Sequence, residues 1–284
     1  MIPAAFEYVR PSSVAEAVSA LGEGGEDAKV LAGGQSLIPV LRLRLAYPST
    51  VVDVGRIDEL RGVREDGDAI VIGAMTTHHE VLHDPLVAQH APLIAQATET
   101  IADPQVRHRG TFGGALAHAD PAGDLGAVAL ALGAQFVLAG ASGERTVGAD
   151  EFFLDYLTTA LGEADVLTSI RVPKLGAGWS SHYEKFNRVA QAWSIVAVAA
   201  LVKRDNGSIS EARIGLTNMG STPLRASAVE RALAGADTSP EAVGAAAEHA
   251  AEGASPTSDL SAKADYREHL ARVLTKRAVL AAIS

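Results

Sequence analysis

The sequence predicts an α+β protein: a small parallel α/β piece, a larger mixed and antiparallel α+β piece, and a C-terminal antiparallel sheet with a helix bundle. Three observations carry this prediction. Residues 29–54 run from an apolar strand, "KVLA", through Gly33-Gly34 into a helical stretch and a second strand, "TVVDV". A strand, a helix and a strand at that spacing imply a parallel pair. Asp66-Gly67 and Asn206-Gly207 sit between strand-like runs as hairpin turns, and three helical runs close the chain.

Taken in order, "PSSVAEAVSAL" opens with a capping-box pattern, Ser13 followed three residues later by Glu16, and predicts a first helix. "SLIPVLRLRLA" reads as a second helix with Leu37, Ile38, Leu41 and Leu45 on one side. Past residue 55 come two strands around Asp66-Gly67, then helical pieces broken at Pro85. There follow a helical "LGAVALALG", strands at "AQFVLAG" and "GERTVG", a short helix near "DEFFLDYL" and a strand at "DVLTSIRVP". The Gly-rich "KLGAGWSS" after Pro173 predicts a boundary, giving domains 1–174, with subdomains of about 1–55 and 56–174, and 175–284. The second domain is expected to hold a three-stranded antiparallel sheet and a helix bundle. Its last helix would turn Tyr266, Leu270, Val273, Leu274 and Leu280 to one face.

Composition narrows the function. With 24 Lys and Arg against 34 Asp and Glu, the net charge of −10 opposes binding to nucleic acid or an anionic membrane. No cysteine is present, which excludes disulfides, thiolate nucleophiles and an iron–sulfur cluster held by this chain alone. The N-terminal stretch has no signal-peptide pattern, and no apolar run is long enough to span a bilayer. A soluble, cytoplasmic protein is the expectation.

The loop "LAGGQS" supplies backbone N–H groups with no Cβ in the way, a hydroxyl at Ser36 and a following helix N-terminus, all suited to an anion. A tight turn without ligand is the other reading. The loop lacks the third glycine of the dinucleotide fingerprint and the Lys of the mononucleotide loop. A second element, Thr111-Phe112-Gly113-Gly114, again sets glycines and a hydroxyl before a helix, and leads through "HADPAGD" to Asp124. Two such loops could face each other across one pyrophosphate. The Asp residues of "HADPAGD" would also serve as helix caps.

His79-Glu80-Val81-Leu82-His83 matches the HExxH pattern of zinc hydrolases. Its context argues against that chemistry: Pro85 should end the helix, Leu86 and Gln89 stand where the extended pattern wants glycine and histidine, and His90 is one residue out of register. A solvated helix face, or a subunit contact involving His78, His79 and His83, is the alternative.

"LAGGQSLIP", "TFGGALAHADPAGD", "VLTSIRVP" and "YEKFNR", in this order and spacing, resemble the FAD-binding medium subunit of the molybdenum hydroxylases, the aerobic carbon monoxide dehydrogenase and xanthine dehydrogenase family. The resemblance covers essentially the whole chain. In that family His is common where Gln35 stands. It implies a two-subdomain FAD-binding domain of the PCMH/vanillyl-alcohol-oxidase type and a C-terminal flavoprotein domain. It implies a flavoprotein oxidoreductase subunit that does not oxidise substrate itself. Electrons would come from [2Fe–2S] clusters on an iron–sulfur small subunit, after oxidation at a molybdenum cofactor on a large subunit, and leave to an external acceptor. The assembly would be a heterohexamer, a dimer of heterotrimers. A free-standing FAD oxidoreductase is the second reading, with a zinc hydrolase a distant third.

Carried over position by position, the resemblance assigns cofactor binding to Leu31, Ala32, Gly33, Gly34, Gln35, Ser36, Leu37 and Ile38 in the first loop. It assigns Thr111, Gly113, Gly114 and Ala115 in the second, with His118 beyond it. Ile101 matches an apolar position near FAD, Asp124 a partner of FAD hydroxyls, and Leu167 and Lys185 positions near the ring system. A Lys there would stabilise negative charge on the reduced flavin; an exposed ion pair is its other reading. Trp193 is placed either beside the isoalloxazine or in the core. No residue of the chain is assigned a catalytic or metal-binding role.

Overall fold

The computed structural model describes residues 2–284; Met1 lies outside. Strand β1 (Glu7–Val9), helix α1 (Val14–Gly24), β2 (Ala28–Leu31), α2 (Leu37–Arg42) and β3 (Thr50–Asp53) form an all-parallel sheet of order β1-β3-β2. The predicted β2–α2–β3 unit is present, but β1 had no visible signature, since three mostly exposed residues show no period. The Ser13 hydroxyl accepts from the Glu16 N–H as predicted, whereas the Glu16 carboxylate reaches back to the N–H of Ser12, not Ser13. Helix α2 ends at Arg42. Of its predicted apolar side only Leu41 is buried, while Ile38 and Leu45 are exposed. Ala17, Leu21, Val52, Ile57 and Leu60 make the core of this unit.

The second unit is a five-stranded antiparallel sheet of order β4-β5-β10-β6-β7. Its strands are β4 (Val63–Asp66), β5 (Ala69–Gly73), β6 (Gln135–Gly140), β7 (Gly143–Gly148) and, after the short pair β8 (Phe153–Asp155) and β9 (Thr158–Thr159), the central β10 (Val166–Pro173). Its helices are α3 (His78–His83), α4 (Pro85–His90), α5 (Pro92–Glu99), α6 (Pro104–Arg107), α7 (Phe112–His118), α8 (Asp124–Leu132) and α9 (Ala149–Phe152). Proline opens α4, α5 and α6 at its favoured first position, so the stretch after Thr77 breaks into more pieces than Pro85 alone implied. The helix at "DEFF" stops at Phe152 because Phe153 turns extended into β8. Phe136 and Phe152 stack with centroids 3.9 Å apart in the middle of the core.

The last unit holds β11 (Trp179–Phe186), β12 (Val196–Asp205), β13 (Ser208–Thr217) and β14 (Leu224–Arg225), in that spatial order. The sheet has four strands rather than the predicted three, because β14 is only two residues long and carries no pattern. Asn206 and Gly207, both at positive φ (49° and 85°), make the β12–β13 turn in the conformation that twisted hairpins favour. Helices α10 (Ser227–Leu233), α11 (Pro240–Ala247) and α12 (Ala264–Ile283) cover one face. The buried side of α12 carries Arg267, Leu270, Ala271, Leu274 and Ala278, while Tyr266 is exposed and Val273 and Leu280 are half-buried. The apolar period alone could not reveal the buried Arg267, whose guanidinium is satisfied by the Ile195 and Thr257 carbonyls and by Asp259. All nine residues of α8 are buried, because the helix lies against both β10 and the C-terminal strands β12 and β13.

Phe136→Ala should lower the unfolding free energy by about 3–5 kcal/mol, since it removes a fully buried ring stacked on a second one. Chemical denaturation at constant pH measures this directly.

Candidate functional site

The two glycine loops meet. A Cβ on Gly33 would stand 2.8 Å from the Gly110 Cα and press on the Arg109 carbonyl, and one on Gly114 would stand 3.3 Å from the Ala32 Cβ. Gly113 is held likewise, with a Cβ there 2.6 Å from the Ala74 Cα. Gly33 and Gly113 are therefore required first by backbone packing of loop on loop and loop on sheet, and Gly114 by the Thr111 hydroxyl and the Ala32 side chain against it. Clearance for a ligand, the reason the sequence suggested, comes second.

The loops differ in what they leave free. In the second, Phe112 and Gly113 donate to the carbonyls of Thr76 and Ala74, and Gly114 and Ala115 donate to Thr111 Oγ1 and its carbonyl. Thr111 thus spends its hydroxyl capping α7. In the first, no hydrogen bond within the described residues engages the N–H groups of residues 33–37, and Ser36 caps nothing with its side chain. A run of unpaired amides with a free hydroxyl is an anion-binding concavity. Of the two loops from which the sequence led us to expect donors, the first leaves its amides unpaired, while those of Phe112 to Ala115 in the second are spent within the protein.

Beside this run opens a cleft lined by Gln35, Ser36, His78, Ile101, Ala115, His118, Asp124, Lys185 and Trp193, among others. Eight predicted site residues line the cleft; His78 is among the lining residues that were not predicted. Leu31, Ala32, Gly33, Gly34, Leu37, Ile38, Thr111, Gly113 and Gly114 stand behind or beside the cleft as the framework of the two loops, and Leu167 is buried in the core on β10. Gln35 is exposed on the rim. Trp193 is 54 % exposed, so it is no core tryptophan; its ring reaches over toward Gly123. The segment that carries it is tied across the cleft, where Gln191 Nε2 donates to Asp103 Oδ2.

Asp124 anchors the floor. It is the first residue of α8 and buried, and its Oδ1 accepts from the Tyr183 hydroxyl (2.7 Å) and the Ser194 hydroxyl (2.7 Å) while Oδ2 accepts from Lys185 Nζ (2.8 Å). Tyr183 and Lys185, two apart on β11, point to the same face by strand alternation. Both side chains of the Asp124–Lys185 pair are only 5 % exposed, which sets aside the reading of Lys185 as a surface ion pair. Lys185 donates further to the Thr100 carbonyl, and Arg107 donates to the carbonyl of Ile101 at 2.8 Å, so the backbone that places Ile101 is held from two sides. Burial, then the Asp124 charge, raises the Tyr183 pKa well above its usual value, keeping the phenol a donor. Tyr183 and Ser194 were not foreseen; the alternation of Tyr183 with Lys185 was the available signal, but the sequence does not name their common partner.

The HExxH residues serve other ends. Glu80 completes a capping box with Thr77, His79 stacks on His108 with centroids 3.8 Å apart, and His83 Nδ1 donates to the His79 carbonyl. Among the described residues no three metal-ligating side chains are gathered. His78, which the sequence offered only for a subunit contact, is 4 % exposed, and burial, aided by the Arg107 charge, lowers its pKa to about 4.

Two outcomes follow from these groups. The unfolded chain binds a proton at His78 below its ordinary pKa of about 6.5 while the folded chain refuses it until about 4, so stability falls as pH drops through that window. His78→Gln should remove up to about 3 kcal/mol of that acid loss, read from denaturation at pH 7 and pH 4.5. Lys185→Met, which strands the Asp124 carboxylate, should cost roughly 3–5 kcal/mol, and adding Asp124→Asn should recover part of it; denaturation of the three variants tests this.

Comparison with known proteins gives the family. Residues 4–175 match the model of the FAD binding domain in molybdopterin dehydrogenase, and residues 181–282 that of the CO dehydrogenase flavoprotein C-terminal domain. The carbon monoxide dehydrogenase medium chain of Hydrogenophaga pseudoflava is 46 % identical, with 99 % of this chain and 98 % of that one covered. The nicotine 6-hydroxylase medium subunit of Paenarthrobacter nicotinovorans is 37 % identical, over 98 % and 97 %. The solved structure of carbon monoxide dehydrogenase from Hydrogenophaga pseudoflava, in a form lacking the Mo-pyranopterin moiety of its molybdenum cofactor, superposes with a TM-score of 0.97 at 48 % identity, covering 100 % of this chain and 99 % of that one. With both of its halves matched, the chain belongs to the FAD-binding flavoprotein subunits of the molybdopterin dehydrogenases.

Proposed function

We propose that this chain is the FAD-carrying electron-transfer subunit of a heteromeric molybdenum hydroxylase of the carbon monoxide dehydrogenase type. The observation that carries the residue-level reading is the run of unpaired amides at residues 33–37, set beside a cleft that Lys185 and Trp193 border. Those amides and the Ser36 hydroxyl are the chain's means of meeting a pyrophosphate by dipoles, with no buried counter-ion. Ile101 and Ala115 offer apolar surface to a ring. The Asp124 carboxylate, with three donors already in place, retains lone-pair capacity for one ligand hydroxyl. Lys185 has one ammonium proton left after Asp124 and Thr100, and Trp193 supplies an aromatic face at the mouth. Leu167 acts through the packing behind the cleft, and Gln35 and His118 contribute at its rim. Bound there, FAD supplies the redox centre between an electron donor and an electron acceptor.

The finer assignment is part of the same proposal. The FAD-binding part spans 1–174 and the C-terminal flavoprotein part 175–284, a division supported by the extents of the two family matches. An iron–sulfur small subunit and a molybdenum-cofactor large subunit are the partners, assembled as a dimer of heterotrimers in the cytoplasm, with an external acceptor. Carbon monoxide is the substrate proposed for the assembly, on the strength of the 46 % identical relative.

Purification of the tagged chain with its companions, followed by an absorption spectrum and metal analysis, tests the proposal. Flavin bands with iron, molybdenum and two further polypeptides are expected. Flavin in a lone chain that itself oxidises a small molecule would favour a free-standing oxidoreductase, and stoichiometric zinc without flavin would overturn the reading altogether.

A further inference from the structure

His78 is the one buried imidazole of the cleft whose hydrogen bonding is incomplete. Its backbone is fixed, because its N–H donates to the Gly110 carbonyl at 2.9 Å and Thr77 caps the helix that it begins. The ring is not: Nδ1 is enclosed with no partner, while Nε2, which is not enclosed, has no hydrogen bond to the described residues. The ring lies against Gly110, where a Cβ would come 2.8 Å from Cδ2 and 3.2 Å from Nε2, and Gly110 in turn packs on Gly33 of the amide run. His78 thus stands across one backbone segment from the unpaired amides, on the cleft wall.

Hydrogen-bond accounting sets the tautomer. A proton on Nδ1 would bury an N–H with nothing to receive it, which folded proteins almost never tolerate, whereas a bare lone pair there is the lesser cost. The proton therefore belongs on Nε2. Because burial disfavours the charged ring, that N–H is a neutral donor near neutral pH. Unlike the enclosed Nδ1, this donor has no partner within the protein and is left open to the cleft, where a ligand can supply the acceptor.

We propose that His78 is a positioning residue of the cleft that donates its Nε2–H to an acceptor atom of the bound FAD, alongside the amides of residues 33–37. The inference rests on the FAD reading above. It adds a side-chain donor to a site that otherwise depends on backbone.

The test uses the full-length chain purified with its companions, stripped of flavin and titrated with FAD by fluorescence. His78→Leu should weaken binding roughly tenfold, the loss of one buried hydrogen bond. His78→Gln, whose amide reaches where Nε2 lies, should stay within about threefold. Equal affinity in His78→Leu would overturn the inference, as would equal losses in both variants, which would make the ring a packing element. If His78→Leu does not fold, nitrogen NMR of the wild-type ring decides: a proton on Nε2 whose signal moves on adding FAD supports the donor, and a proton on Nδ1 or an unmoved signal refutes it. Failure of the wild-type complex to bind FAD would strike the functional reading itself, whatever the variants do.

Discussion

A buried carboxylate at the start of α8 dictates how the molecule closes. Asp124 would be intolerable inside the protein without donors, and all three of its donors, Tyr183, Lys185 and Ser194, come from the C-terminal unit. The C-terminal sheet therefore docks where its β11 can present alternate residues to that one group. The same docking brings Lys185 to the carbonyl of Thr100 and swings the Gln191–Trp193 segment over the cleft. Closure, cleft wall and charge balance are one event.

The loops carry a complementary economy. Thr111 and its neighbours consume their hydrogen-bonding capacity in holding α7 and the sheet, and so become the rigid abutment against which Gly33 rests. The amides of the first loop carry no such structural duty and stay unpaired. Sequence similarity between the two elements concealed this division, because glycines next to a hydroxyl look alike whether the amides are spent or spare.

Much of the fold was readable because its signals are local. The paired positive-φ residues Asn206 and Gly207 announce their hairpin, the β2–α2–β3 unit shows its apolar strands, and prolines mark helix starts. Strands β1 and β14 were invisible for want of length. The apolar side of α2 was misjudged because period says which residues share a face, not whether anything covers it; Ile38 and Leu45 stay exposed. In the site, the loops and Lys185 were legible as motifs. Tyr183 and Ser194 were not, since their role is defined by a partner about sixty residues away. His78 was hidden by its own neighbours: the HExxH match drew attention to His79 and His83, which face outward, and away from the residue that faces in.

Helix α8 has a further consequence, for how the chain is made. It is apolar all round because it is shared, with the five-stranded sheet on one side and β12 and β13 on the other. During synthesis α8 leaves the ribosome before β12 and β13 exist, so one side of an otherwise apolar helix, with the Asp124 charge at its head, waits uncovered. Such a surface is a target for chaperones and for misassociation until the last third of the chain arrives. The feature that makes the finished protein a single closed body makes the unfinished one adhesive.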